Sequence, residues 1–217
     1  MQRFDIITEA DARRLEPGST VELAAGGHVT PLAKDTLKER RVTVVRAGSY
    51  DPDLPADLAP ASDVRRVAIG SDHTGVALKK MLVQHLRGRG LAVDDLGVDA
   101  PEPPVDYPDV AAAVARAVAR GEAQAGIVID GAGIGSCIAA NKIRGVRAAM
   151  ATDETIARYS REHNGANVLT LGSSLVPQAD EVRRIVETWL ATPMREARYI
   201  RRLLKIRRLE EEERRGS

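Results

Sequence analysis

The chain has 217 residues, enough for one domain of ordinary size and a small module, and its 43% of hydrophobic residues can fill a core. Only 3% are aromatic, so that core must be built mostly from Ala, Val, Leu and Ile. A net charge of +1 gives no general attraction for nucleic acid or an anionic membrane, and the one cysteine excludes an internal disulfide framework. No apolar run has the length of a signal peptide or a membrane span, and the reading is a soluble, cytoplasmic protein.

Residues 1–47 read as a small N-terminal module. A short helix signal runs from Thr8 to Leu15 and stops at Pro17-Gly18; Val21 and Leu23 then alternate with polar neighbours. Thr30 is placed to cap a helix whose first residue is Pro31, and residues 42–45 read as a strand. Residues 48–63, rich in proline and aspartate and without periodicity, read as a linker.

From Val64 the pattern becomes a regular alternation of strands and helices. Strands are expected at 67–70, 91–96, 126–129, 146–151 and 168–171, and helices at 76–86, 108–120, directly after 135, 154–162 and 179–190. On the first of these helices Leu78, Met81, Leu82, His85 and Leu86 are expected to share the inward face. This rhythm over residues 64–194 predicts an α/β domain with a five-stranded parallel sheet and helices on both faces. Residues 195–217 are expected to form a long C-terminal helix, with Ile200, Leu203 and Leu204 inward and arginines elsewhere.

Ligands in such sheets sit beyond the C-terminal ends of the strands. Asp72-His73 follows the first strand, where a histidine can bind phosphate, move protons or simply hold a loop. Residues 127–142 carry an apolar strand, a loop with glycine at 131, 133 and 135, and a helix start. Backbone N–H groups of such a loop can close on an anion, with the helix dipole assisting, and Asp130 stands at its mouth as a potential base. Other readings stay open. Gly131-x-Gly133-x-x-Ser136, with Asp153 twenty residues past Gly133, approaches a dinucleotide fingerprint, and a plain strand-to-helix turn needs no ligand at all. His163-Asn164 reads equally as a helix C-cap, and the topology does not say whether it approaches the pocket. Cys137 reads as a buried helix residue or as a reactive thiol near a helix N-terminus. No cluster of Cys and His has metal-ligand spacing.

Several linked motifs carry a resemblance. Val67-Ala68-Ile69-Gly70-Ser71-Asp72-His73-Thr74-Gly75, Asp106-Tyr107-Pro108, the loop from Gly131 to Lys142, Arg161-Glu162-His163-Asn164 and Asn167-Val168-Leu169 resemble ribose-5-phosphate isomerase B and the galactose-6-phosphate isomerase subunits, over about residues 65–205. The resemblance implies a Rossmann-like three-layer α/β/α sandwich and a homodimer, or dimer of dimers, with the active site at the interface. It also implies isomerisation of a phosphorylated sugar through an enediolate, with no metal and no cofactor. Asp72 and His163 would help open the sugar ring, His73 would bind phosphate, and Asn164 would hold a sugar hydroxyl. Gly131, Gly133, Gly135 and Ser136 would line the substrate, with loop N–H groups meeting the enediolate oxygen. Arg198 and Arg202, four apart on the tail helix, match a phosphate-gripping pair.

The departures concern the base. One branch of the family has a cysteine where this chain has Asp130, and another a glutamate where it has Ser136. A threonine common in the loop is Ala132, a phosphate-binding arginine after the fifth strand is Ser174, and a tail histidine is Tyr199. Burial beside the apolar strand would make Asp130 a stronger base, and hydrogen bonds from the loop N–H groups a weaker one. The reading is therefore an isomerase with Asp130 as base, or a non-catalytic phosphosugar-binding or assembly subunit of the same fold. Residues 7–11 and 27–35 resemble segments attached to enzymes of bacterial microcompartments, which implies a shell or enzyme partner, or else an extension that packs on its own dimer.

Overall fold

The computed structural model describes residues 2–46, 58–61, 63–176, 178–194 and 196–215. The chain divides into two units, Met1–Leu54 with Glu196–Arg198 and Pro55–Arg195 with Tyr199–Ser217.

The first unit is a three-stranded parallel sheet, β1 (Arg3–Ile7), β2 (Thr20–Val29) and β3 (Thr43–Arg46), in that order. Two helices connect the strands, α1 (Glu9–Arg14) and α2 (Pro31–Glu39). Thr8 and Asp11 cap α1 reciprocally, and Thr30 accepts the Ala33 N–H at the start of α2, with Pro31 in the first turn as the sequence predicts. Ile7, Val21, Leu23, Leu37 and Val42 form its core. β1 was not expected: Arg3 and Asp5 interrupt its apolar residues over a span too short to show alternation.

The second unit is a five-stranded parallel sheet between two helical layers, as the sequence predicts. Its strands are β4 (Arg66–Ser71), β5 (Ala92–Asp95), β6 (Ala125–Asp130), β7 (Ala148–Met150) and β8 (Val168–Gly172), in the order β5-β4-β6-β8-β7. The intervening helices are α3 (Val76–Gly88), α4 (Tyr107–Ala119), α5 (Ile134–Ala140), α6 (Glu154–Glu162) and α7 (Ala179–Ala191); α8 (Ala197–Arg215) closes the chain. Alternate strand residues face opposite cores. Ile69, Ile127, Ile129 and Leu171 pack with α3, α6 and α7, while Ala68 and Val128 pack with α4 and α5. β5 and β6 lie on opposite sides of β4, so the chain reverses direction across the sheet between β4 and β6. That switch point is where such sheets open a crevice.

The inward face of α3 differs from expectation. Lys79 and Val83 are buried with Val76, Leu82 and Leu86, while Leu78 and Met81 are only partly covered. Lys79 is fully buried because its ammonium lies 2.6 Å from Asp95 Oδ1, which also accepts the Gly97 N–H. This pair ties α3 to the start of the loop after β5. The tail packs as predicted, with Leu203 buried and Ile200 and Leu204 beside it. Most of the expected linker lies outside the described residues, but Leu58 belongs to the second unit, where it is buried and its carbonyl accepts from Arg147. Among the described residues no helix is long and apolar enough to cross a membrane.

Candidate active site

The two strands at the switch point end in the two aspartates. Asp72 follows β4 and Asp130 ends β6, and the Asp72 N–H donates to the Ile129 carbonyl at 3.1 Å. Asp72 is 5% exposed. Its Oδ1 accepts the Thr74 N–H at 2.9 Å and the Thr74 hydroxyl at 2.6 Å, closing a tight side-chain turn, while Oδ2 has no partner among the described residues. The neighbouring His73 holds the Val105 carbonyl at 3.2 Å through Nδ1. A carbonyl only accepts, so Nδ1 carries the proton and Nε2 is left for a ligand.

Asp130 is 4% exposed and lies inside its own loop. Its Oδ1 accepts N–H groups from Ala132, at 2.8 Å, and Gly133, and its Oδ2 accepts the Ser136 N–H at 2.8 Å. The loop N–H groups expected to close on a ligand anion, with Asp130 at the mouth, instead hold the loop's own carboxylate inside it. Of about four lone-pair sites on a carboxylate, one on Oδ2 remains. The N–H groups of Ile134 and Gly135, in the first turn of α5, have no acceptor among the described residues. Two glycines are required here. Gly133 takes φ 76° with its α-carbon face against the Leu171–Gly172 backbone, where a Cβ would lie 2.9 Å away. Gly135 lies beneath the Tyr107 ring, which a Cβ would meet at 2.6 Å. The Ser136 hydroxyl is buried without a hydrogen-bond partner among the described residues.

Other sequence features resolve locally. Asp153 caps α6, accepting the Thr155 and Ile156 N–H groups at 2.8 and 2.9 Å, so its carboxylate is committed to the helix rather than to a ribose. The Cys137 thiol donates to the Ala148 carbonyl at 3.4 Å. Among the described residues no group of three or more His, Cys, Asp and Glu could hold a metal ion.

His163, Asn164 and Arg202 belong to the other edge of the sheet. α6 runs back from the C-terminal end of β7, so His163 at its C-cap and Asn164 beyond it precede the N-terminal end of β8. β8 then rises from Val168, beside Gly126, to Gly172, beside Asp130, a climb of about 13 Å. The His163 ring is sandwiched between Tyr159 and Tyr199, with centroids 4.7 Å away on each side. Asn164 donates to the Tyr159 carbonyl at 3.1 Å. Arg202 lies 5.6 Å over the Tyr199 ring, and Arg198 is one turn earlier on α8, paired with Glu196 at 2.6 Å. The chain thus brings Asp72, His73, Asp130, Gly131, Gly133, Gly135 and Ser136 together, and keeps His163, Asn164 and Arg202 apart from them.

The profile of the Ribose/Galactose Isomerase family matches residues 67–206. The chain belongs to that family. Among its Ribose/Galactose Isomerase relatives, ribose-5-phosphate isomerase B of Escherichia coli K12 is 40% identical over 148 residues, covering 68% of this chain and 98% of that one. D-erythrulose-4-phosphate isomerase of Pectobacterium atrosepticum is 38% identical over 124 residues, 57% of this chain and 81% of that one. The solved ribose-5-phosphate isomerase B of Clostridium thermocellum superposes with a TM-score of 0.66 at 46% identity, covering 68% of this chain and 98% of that chain. Residues 1–54 of the first unit lie outside the family match. Three neighbours of the site were not singled out for their contacts: Thr74 on Asp72, Tyr107 over Gly135, and Tyr159 against His163. The spacing of the first and third offered a signal, an Asp-x-Thr turn and an i,i+4 helical pair, whereas Tyr107 and Gly135 are distant in the chain.

Proposed function

We propose that this chain is an aldose–ketose isomerase of a phosphorylated sugar, interconverting ribose 5-phosphate and ribulose 5-phosphate or a close relative, with Asp130 as the proton-transferring base. The observation that carries it is the Asp130 carboxylate, buried beside Asp72 at the switch point and oriented by three loop N–H groups. The relatives named ribose-5-phosphate and erythrulose-4-phosphate isomerases support the reaction class.

In this reading Asp72 Oδ2 takes the anomeric hydroxyl proton while His163 protonates the ring oxygen, opening the sugar. Asp130 Oδ2 then removes the C2 proton. That electron pair forms the C1–C2 double bond, and the carbonyl pair moves onto O1, where the Ile134 and Gly135 N–H groups meet the enediolate charge. The O2 hydroxyl proton passes to O1, the O2 electron pair forms the C2 carbonyl, and the C1–C2 double-bond pair takes the proton back from Asp130 at C1. His73 with Arg198 and Arg202 binds the phosphate, and Asn164 a hydroxyl. No step is assigned to a metal.

Because the two groups of residues occupy opposite sheet edges, the reading requires a dimer in which His163, Asn164, Arg198 and Arg202 come from the second protomer. Exposed apolar pairs flank both groups, Ile134 and Ile138 on α5 and Ile156 and Tyr159 on α6, at 54%, 59%, 42% and 45% exposure. A two-fold interface covers one pair with the other. Conversion of ribose 5-phosphate into ribulose 5-phosphate by the purified protein, followed by NMR, tests the function. An inert protein that still binds the sugar would instead favour a non-catalytic binding subunit.

The N-terminal unit we assign to assembly, as a docking element for a microcompartment shell or enzyme partner. Its separate core and the position of residues 1–54 outside the family match support this. Deleting residues 2–46 is expected to leave turnover unchanged and to abolish co-sedimentation with shell particles; retained co-sedimentation would rule the assignment out.

A further inference from the structure

A segment just before the family match contributes to the wall behind His163. Leu58 is 3% exposed and packs in one cluster with Met194, Tyr199 and Leu203. Two arginines hold the backbone around it. Arg147 Nη2 donates to the Leu58 carbonyl at 3.0 Å, and Arg161 Nη2 to the Ala61 carbonyl at 2.8 Å. The same two side chains hold the loop after His163, through Arg147 Nε to the Gly165 carbonyl at 2.8 Å and Arg161 Nη1 to the Ala166 carbonyl at 3.0 Å. Arg161 is fully buried, 4.5 Å over the Trp189 ring. Burial, with Arg147 nearby, pulls its guanidinium down to about 10, so it remains a cation at neutral pH.

The other side of that loop rests on α8. Gly165 takes φ 58°, and a Cβ there would meet Leu203 at 2.6 Å and Met194 at 3.2 Å. Leu203, Met194 and Tyr199 share one buried cluster with Leu58, and the Tyr199 ring lies tilted by 31° against the His163 ring at 4.7 Å. The cluster that Leu58 completes therefore extends through Tyr199 to the imidazole. The family match begins at residue 67, so Leu58 and Ala61 lie outside it.

We infer that Leu58 is a positioning residue: held by Arg147 and Arg161, it packs Tyr199 against His163 and fixes the imidazole that acts on the sugar ring. The proposal rests on the assignment of His163 above. Removing the Leu58 side chain leaves a void beside Tyr199, and the Tyr199 ring is then free to leave the imidazole. Methionine, close in volume, refills the space.

The test uses the full chain with Leu58→Ala and Leu58→Met, and Leu58→Val should the alanine variant fail to fold. The chain has four histidines, so the His163 ring proton is assigned by its loss in His163→Gln. In Leu58→Ala this resonance is expected to move towards the position of an unstacked imidazole, with those of His28, His73 and His85 unmoved. The kcat for ribose 5-phosphate is expected to fall about tenfold with KM changed less than about twofold, and Leu58→Met to restore both readouts. A folded Leu58→Ala, or Leu58→Val in its place, with an unmoved His163 resonance would overturn the proposal. So would a shift shared by all four histidines, which reports general loosening. The resonance decides the role of Leu58 even if the sugar is not turned over, a result that would count against the isomerase reading alone.

Discussion

Asp130→Ala is expected to lower kcat/KM for the phosphosugar by a factor of about 100 to 10,000, the usual contribution of a positioned general base. The neighbouring carboxylate, Asp72, has its Oδ1 tied into its own turn with Thr74 and its Oδ2 assigned to ring opening, so it does not take over the C2 proton. The substitution also strips the Ala132, Gly133 and Ser136 N–H groups of their acceptor. Burying unmatched donors costs about 1–3 kcal/mol, which water entering the emptied cradle reduces. The variant therefore folds with a lowered Tm while losing activity far beyond what that destabilisation explains. Sugar binding measured by calorimetry is expected to persist, since the groups proposed to bind the phosphate, His73, Arg198 and Arg202, are left unsubstituted. Retained turnover in Asp130→Ala would remove the carboxylate from the chemistry.

The second large effect follows from the two sheet edges. Asp130→Ala and His163→Ala are each expected to be inactive alone, yet mixing them under conditions of subunit exchange restores activity. With random assortment half the dimers are mixed, and each mixed dimer carries one site built from two intact halves. Recovery should therefore approach about one quarter of the unsubstituted protein. Mass spectrometry of the mixture establishes that exchange has occurred. Mixed dimers with no activity would mean that His163 and Asp130 do not meet across an interface. The about 13 Å climb of β8 would then leave His163 outside the reaction.

Most of the second unit was legible because its strands are short apolar runs separated by helices of clear period. α6 was predicted at its observed limits, since Asp153 caps one end and the Glu162-His163 polar step marks the other. The burial of Lys79 was not foreseen because periodicity reports which face is buried but not whether a partner neutralises a charge there, and Asp95 is sixteen residues away. β1 was missed because a half-polar edge strand of five residues leaves no pattern. In the site, the glycines announced an anion cradle, and the sequence named Asp130 as its neighbour. That the carboxylate fills the cradle depends on how the loop turns back on the strand end, which glycine spacing alone does not encode. The separation of His163 from Asp130 was likewise left open. It becomes fixed only when the direction of α6 and the register of β8 against β6 are known. Leu58 fell in a stretch whose composition reads as a linker, and its burial depends on Arg147 and Arg161, far along the chain.

The most direct test of the central claim is proton exchange at C2 of ribose 5-phosphate, followed by NMR in deuterated water with the unsubstituted protein. The account predicts loss of the C2 proton signal together with appearance of ribulose 5-phosphate, because Asp130 must take that proton before C1 receives one. A C2 signal that persists while the sugar is demonstrably bound, and persists again with four-carbon and six-carbon phosphosugars, would contradict it.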